Sequence, residues 1–304
     1  MAPVSTLASS RSIGDAQYRS ENFPYARFNP DIVHPWVLGK WYDDGTPVWV
    51  PAIFAYLSLD LEREQLFCQG TSNGLAASTS GDDAADRAVW ELIERDAFMT
   101  AWLTGSAGRR IHLDETLDEG LAAVVQGIQN LGARVEVYSL PTCVSGSAVL
   151  CLALGDGQNF PGVTIGLGAD RDPLRALRSA ILEVGQTGPY LRRMMQSGFL
   201  KTPESPADVR EMLQHAAYYF PAHRAAAFDS LRTGMSHPPA PADIRVAVVD
   251  VTSTDLRSSP FRVFRAISPD LQPISYGCGL DRMPVARLQR LGLAPKLPEI
   301  HPVW

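Results

Sequence analysis

Between Ser80 and Met195 helical and strand-like patterns are interleaved, and this alternation is the strongest constraint the sequence places on its fold. Ser80 opens a helix, with Asp83 three positions on in a capping-box arrangement where Asp replaces the usual Glu. Ala84, Ala85, Ala88, Val89, Leu92, Ile93 and Ala97 recur at the helical period, so one face of that helix must be buried. A second helix is predicted from about Leu117 to Leu131, stopped by Gly132. Arg134–Leu140, Ala148–Leu154 and Val163–Leu167 then read as strands. Asp172 before Pro173 is an N-cap with proline at the first helical position, starting a long helix through about Met195. Elements interleaved in this way predict an α/β to α+β fold, a mixed sheet with helices packed on it.

The flanks are less regular. Residues 1–22 are polar and Ser-rich and read as a mobile tail, leaving 23–304 as the folded domain. From Phe23 to Gly45 aromatics and prolines alternate in an irregular but packed segment. Asp44-Gly45 signals a turn, Val48–Ala52 is β-like, and Ile53–Leu59 continues in that character. After a Pro/Glu loop at Lys201–Pro206, Val209–Tyr219 and Ala222–Leu231 are helical, and His237–Pro241 is the best linker candidate. Ile244–Val251 and Phe261–Ile267 read as strands.

Several function classes are excluded early. The 27 basic residues are outnumbered by 33 acidic ones, a net charge of −6, so no general polyanion-binding surface is implied and nucleic acid is not an expected partner. No apolar run approaches the ~18 residues of a membrane span, and the N-terminus lacks the pattern of a signal peptide. Cys68, Cys143, Cys151 and Cys278 are scattered without a C-x-x-C pair, the usage of a reducing compartment. The chain therefore reads as cytoplasmic.

Two helical constellations could carry chemistry. Glu91, Glu94 and Arg95 fall at i, i+3 and i+4 and share one face. Carboxylates suit a hard cation and a guanidinium suits phosphate, so the set fits a magnesium–nucleotide site. On spacing alone, a solvated face with an i,i+4 Glu–Arg pair is the simpler account. Ser179, Glu183 and Gln186 share a face of the later helix amid Leu177, Ala180, Ile181 and Val184. A carboxylate in so apolar a neighbourhood needs a cation or a hydrogen bond, unless it sits on an ordinary helix surface. The small-residue loop Gly70–Ser78 could cradle an anion with backbone N–H groups, but it is no P-loop and can equally be a turn. The six histidines show no metal spacing, and no G-x-S-x-G elbow is present. Gly155-x-Gly157 and Gly166-x-Gly168 are incomplete as dinucleotide motifs and read as strand ends.

Taken together, Thr71–Ala77, Trp90-Glu-Leu-Ile-Glu-Arg-Asp-Ala-Phe98 and Ser179…Glu183…Gln186 resemble the YcaO superfamily. Val263–Gly277 is similar to its late segment, and Pro47–Pro51 to its strand upstream of the Ser-Asn-Gly loop. The resemblance implies an ATP- and Mg2+-dependent cyclodehydratase of the azoline-forming branch. In that branch a substrate Cys, Ser or Thr attacks the preceding carbonyl, the oxyanion is phosphorylated, and phosphate leaves to give thiazoline or oxazoline, precursors of thiazole and oxazole. It implies Glu91, Glu94 and Glu183 as magnesium ligands and Ser72, Asn73, Arg95, Ser179 and Gln186 as ATP contacts, converging on one cavity; it assigns no catalytic residue. Implied partners are a ribosomally made precursor peptide, a leader-binding protein, and a homodimer or hetero-complex. The C-terminal run Leu297–Trp304 keeps Pro298 and Pro302 of a proline-rich tail but has Ile300 at the third position, which favours azoline over thioamide or amidine formation. The family's Gly-Lys-Gly loop and first Ser-x-x-x-Glu-x-x-Glu-Arg helix are not found before Phe23. That difference implies weak Mg-ATP binding by the chain alone, or a silent YcaO-like scaffold.

Overall fold

The computed structural model describes residues 15–20, 23–113, 117–236, 243–282, 285–296 and 300–304. In chain order the strands are β1 (Trp36–Trp41), β2 (Pro47–Pro51), β3 (Leu75–Ser78), β4 (Arg109–Ile111), β5 (Arg134–Leu140), β6 (Ser147–Leu154), β7 (Thr164–Asp170), β8 (Ala247–Asp250) and β9 (Arg262–Ile267). The main helices are α1 (Gly81–Thr104), α2 (Glu119–Asn130), α3 (Pro173–Gln196) and α4 (Met212–Tyr218). The chain divides into two compact units: Met1–Asp96 with Ala242–Ser275 and Arg282–Arg287, and Ala97–Pro241 with Tyr276–Asp281 and Leu288–Trp304. The mobile-tail and linker expectations fall largely outside the described residues, as does Pro298 of the C-terminal run.

The first unit is built on a five-stranded sheet in the order β2-β1-β8-β9-β3, antiparallel throughout. Its core gathers Trp41, Val48, Val50, Ile53, Phe54, Phe67, Val249 and Ile267. Asp44-Gly45 makes the β1–β2 turn, with Gly45 at φ 70° and the Asp44 carboxylate accepting from the Thr46 N–H at 2.8 Å. The predicted α1 stripe is buried at every one of Ala84, Ala85, Ala88, Val89, Leu92 and Ile93, and the Ser80 Oγ accepts from the Asp83 N–H.

The second unit carries the sheet β4-β5-β6-β7, also antiparallel. Leu121, Val125 and Ile128 of α2 pack with Ala176, Leu177, Ala180, Ile181 and Val184 of α3 over Val135, Val137, Val149, Cys151 and Ala153. Asp118 and Asp172 cap the two helices through Leu121 N–H at 2.8 Å and Leu174 N–H at 2.9 Å. The β7 glycines explain the close seating of α3. A Cβ on Gly166 would lie 2.2 Å from the Ala180 carbonyl oxygen, and one on Gly168 would lie 2.1 Å from that of Ala176. These glycines are therefore contacts within a strand rather than strand ends.

The architecture is the expected α/β to α+β type, realised as two antiparallel sheets. Three local expectations change. Ile53–Leu59 is not a strand: Ala52–Ala55 forms one buried helical turn after Pro51, and a short apolar run cannot by itself distinguish the two. The segment expected to be irregular contains β1, and the Gly70–Ser78 loop ends in β3. β1 is formed mainly with its hairpin partner β2, with β8 on its other side, whereas β3 is formed against the distant β9.

Candidate functional site

In the first unit the Gly70–Gly74 loop and the middle of α1 meet. Gly74 has φ 79°, and a Cβ there would lie 2.5 Å from the Ala266 carbonyl oxygen and 2.8 Å from Leu92 Cδ2. Only glycine fits, and the Gly74 carbonyl accepts the Ala266 N–H at 2.7 Å, tying the loop to β9. This places Asn73 beside the helix at the level of Leu92. Asn73 is 6% exposed and its side-chain oxygen has no hydrogen-bond partner, whereas Ser72 is exposed. An orphaned buried acceptor of this kind calls for a ligand or an ordered water.

Next to Leu92 on α1, Arg95 Nε donates to Glu91 Oε1 at 3.2 Å, and its Nη2 lies 3.4 Å from Glu94 Oε1. The Arg95 and Glu94 side chains are only 14% and 12% exposed, so this cluster is not the solvated face that spacing alone favours. One guanidinium faces two carboxylates on this side of α1. The following residue, Asp96, is buried and paired with Arg287 at 2.6 Å while accepting the Gln272 N–H at 2.7 Å.

Arg265 of β9 is the functional candidate that sequence reading missed. It is buried, its Nε donates to the Phe54 carbonyl at 3.0 Å, and its Nη1 has no partner. Burial lowers its pKa to about 10 against the opposing pull of Cys68 and Glu91, so its charge is felt at the α1 cluster. A buried guanidinium with an unpaired donor suits a phosphate oxygen. The available signal was an arginine between Phe264 and Ala266 in the apolar half of the strand.

In the second unit Ser179 and Gln186 are exposed on α3 and Glu183 is half-buried. Glu183 Oε2 accepts the Leu167 N–H of edge strand β7, which is the hydrogen bond its apolar surroundings require. Its charge, together with burial as the larger cause, pushes the Cys151 thiol up to about 12. Among the described residues no three His, Cys, Asp or Glu side chains are gathered as a metal cage. Magnesium nevertheless commonly binds through one or two carboxylates, with water and substrate phosphates completing its shell.

The same unit holds a second charged centre. Glu136 of β5 is buried and bonded by Arg232 at 2.9 Å and by the Tyr138 hydroxyl at 2.6 Å, with Arg110 at 2.9 Å and Arg134 at 3.0 Å. Burial raises its pKa, but the bonds from Arg232 and Tyr138 and the charges of Arg232 and Arg110 outweigh that and hold it at about 2. His215 of α4 is wholly buried, with Nδ1 2.8 Å from the His301 carbonyl and Nε2 2.8 Å from the Gly277 N–H. Nε2 must accept there, so Nδ1 carries the proton, and burial lowers the imidazole to about 4.

A family model described as "YcaO cyclodehydratase, ATP-ad Mg2+-binding" matches residues 2–272. No curated protein matches the chain by sequence. Solved structures share the fold. A heterocyclase in complex with substrate and cofactor is 19% identical at TM-score 0.63, over 81% of this chain and 34% of its own. The E. coli microcin synthetase McbBCD complex is 15% identical at TM-score 0.66, over 89% of this chain and 72% of its own. The YcaO from Methanopyrus kandleri bound with AMPPCP and Mg2+ is 19% identical at TM-score 0.59, over 94% and 72%. This chain thus spans about a third of the length of the first of these.

Proposed function

Because this chain belongs to the YcaO family, we propose that it binds Mg-ATP and uses it to activate a backbone amide of a ribosomally made peptide. The product class proposed is thiazoline or oxazoline, closed from Cys, Ser or Thr onto the preceding carbonyl. The observation that carries this reading is the mostly buried Glu91–Arg95–Glu94 cluster in one unit with two orphaned buried polar atoms, Asn73 Oδ1 and Arg265 Nη1.

Bound Mg-ATP supplies the phosphoryl group that takes up the amide oxygen. Glu91 and Glu94 would offer carboxylates to magnesium, whose remaining positions would go to water and phosphate. Arg265 donates from Nη1 to a phosphate oxygen in a low-dielectric setting, where such a bond is strongest. Asn73 would accept from a nucleotide hydroxyl or amino group, and Ser72 and Arg95 would add further nucleotide contacts from the same unit. The Glu-x-x-Glu-Arg spacing that the resemblance seeks before Phe23 is met by Glu91-x-x-Glu94-Arg95, with Arg87 where the pattern has Ser. On this spacing we propose that the chain alone binds Mg-ATP, and the weak-binding expectation is the alternative that the titration distinguishes.

The proposed setting is the cytoplasm, where ATP is available. Among the described residues no helix is long and apolar enough to cross a membrane. A leader-binding protein and a second copy of the chain are the proposed partners. One observation favours a second reading, a scaffold that binds peptide without turnover: Arg95 already faces both α1 carboxylates, and Glu183 is committed to Leu167. The experiment mixes the chain, Mg-ATP, a Cys/Ser/Thr-containing precursor peptide and the products of neighbouring genes. The enzyme reading expects ADP and phosphate with loss of one water mass per ring. ATP left intact in the full mixture, with peptide still bound, supports the scaffold.

A further inference from the structure

The first unit holds a small cleft, about 160 Å³, that the nucleotide reading does not use. Its lining comes from the chain that follows β2, where Ile53, Tyr56, Leu57, Leu59, Leu61 and Leu66 converge. Three of these large side chains stay open to solvent, Tyr56 at 38%, Leu57 at 55% and Leu59 at 36%. Bulky apolar groups left uncovered together in one short segment mark a contact surface. The volume lies below the roughly 300–1,000 Å³ of whole small-molecule sites and suits a single side chain.

Backbone, charge and position say what enters it. Leu57–Leu61 forms neither helix nor strand, and none of its backbone N–H groups donates to another described residue. Such a segment offers main-chain hydrogen bonds to an incoming peptide backbone. The same loop is acidic: Asp60, Glu62 and Glu64 are exposed, and Arg63 is the only base between Tyr56 and Leu66. A cationic partner is therefore favoured. Ile53 lines the cleft, and the next residue, Phe54, gives its carbonyl to Arg265 Nε at 3.0 Å. Cys68 and Gly70 also line it, and Gly70 opens the loop that carries Asn73. The cleft thus adjoins the residues proposed for the nucleotide.

We propose that this cleft takes one bulky aliphatic side chain of the peptide substrate, with a basic residue of the peptide beside the acidic loop and its backbone along Leu57–Leu61. The site rests on the peptide-activating reading: an amide that receives a phosphoryl group lies at the phosphates, so its flanking residues fall on the adjoining surface.

The probe is acetyl-Lys-Leu-Ser-Gly-amide, titrated without nucleotide into the isotopically labelled full chain and followed by amide shift changes. It should move Leu57, Leu59, Leu61, Cys68 and Gly70. Replacing its Leu with Gly should weaken binding about tenfold or more, the value of one buried leucine side chain. Replacing its Lys with Glu should weaken it about threefold, and less in high salt. Leu59→Glu should erase the Leu preference while the melting temperature holds, and Leu59→Met should keep most of it. Mg-ATP titrated into the same chain reads the nucleotide site separately, so either site can fail without the other. Equal binding of the Leu and Gly peptides, tighter binding of the Glu peptide, shifts elsewhere or none at all would each overturn the assignment. Adenosine moving the same amides would give the cleft to the nucleotide instead, and a dimer that Leu59→Glu dissociates would give it to a second copy.

Discussion

Replacing Glu136 with Gln tests the charge network on β5 of the second unit. The folded carboxyl titrates at about 2 rather than 4.5 because Arg232, Tyr138 and Arg110 converge on it. At about 1.4 kcal/mol per pKa unit, the ionised group contributes roughly 3 kcal/mol to stability at neutral pH. The folded pKa is depressed, so this contribution is full above about pH 4.5 and is lost as pH falls toward 2. His215 acts in a higher window. Its folded pKa of about 4 lies below the ordinary 6.5, so stability declines as pH falls from about 6.5 to 4 while the unfolded chain takes up the proton. Urea denaturation followed by circular dichroism from pH 7 to pH 2 should therefore show two successive losses. Glu136→Gln should lower stability by about 2–4 kcal/mol at pH 7 and flatten the lower limb only. A variant within about 1 kcal/mol of the parent, or one that keeps the parent's slope between pH 4.5 and pH 2, would refute the network's role.

The other predictions concern seating and burial. Gly168→Ala sets a methyl 2.1 Å from the Ala176 carbonyl and 2.9 Å from Ser179 Cβ. It should cost about 1–3 kcal/mol or more and lower the melting temperature, because backbone rather than a flexible side chain must move. Gly127→Ala on α2 meets nothing within 4 Å and should instead stabilise by about 0.5–1 kcal/mol, measured in the same scan. His215→Phe leaves the Gly277 N–H and the His301 carbonyl without their ring partner. It should cost about 2–4 kcal/mol at pH 7 and remove the upper acid limb in the urea series.

How legible each element was depends on whether local pattern or distant pairing creates it. Ser80 and Asp172 announce α1 and α3 because capping chemistry is local, and the β5–β7 runs are long and apolar enough to stand alone. The three residues of β4 and the four of β3 carry no such pattern and become strands only against β5 and β9. The site divides in the same way. The shared face of Glu91, Glu94 and Arg95 follows from spacing, but their burial depends on what packs over α1. Arg265 was hidden because a charged residue in a strand ordinarily points to solvent, and only the folded sheet shows it enclosed. Glu183 was legible as a residue in need of a partner, yet nothing in the helix named the Leu167 N–H as that partner.

Titration calorimetry of Mg-ATP into the full chain tests the central claim most directly. It should be run alongside the Glu91→Gln, Glu94→Gln double variant and Arg265→Gln. The expected result is saturable, magnesium-dependent binding by the parent, weakened about tenfold or more in each variant as one or more charge-assisted contacts are lost. Absence of binding by a folded parent, or binding that both variants retain unchanged, would contradict the nucleotide site proposed at Asn73, Glu91, Glu94, Arg95 and Arg265.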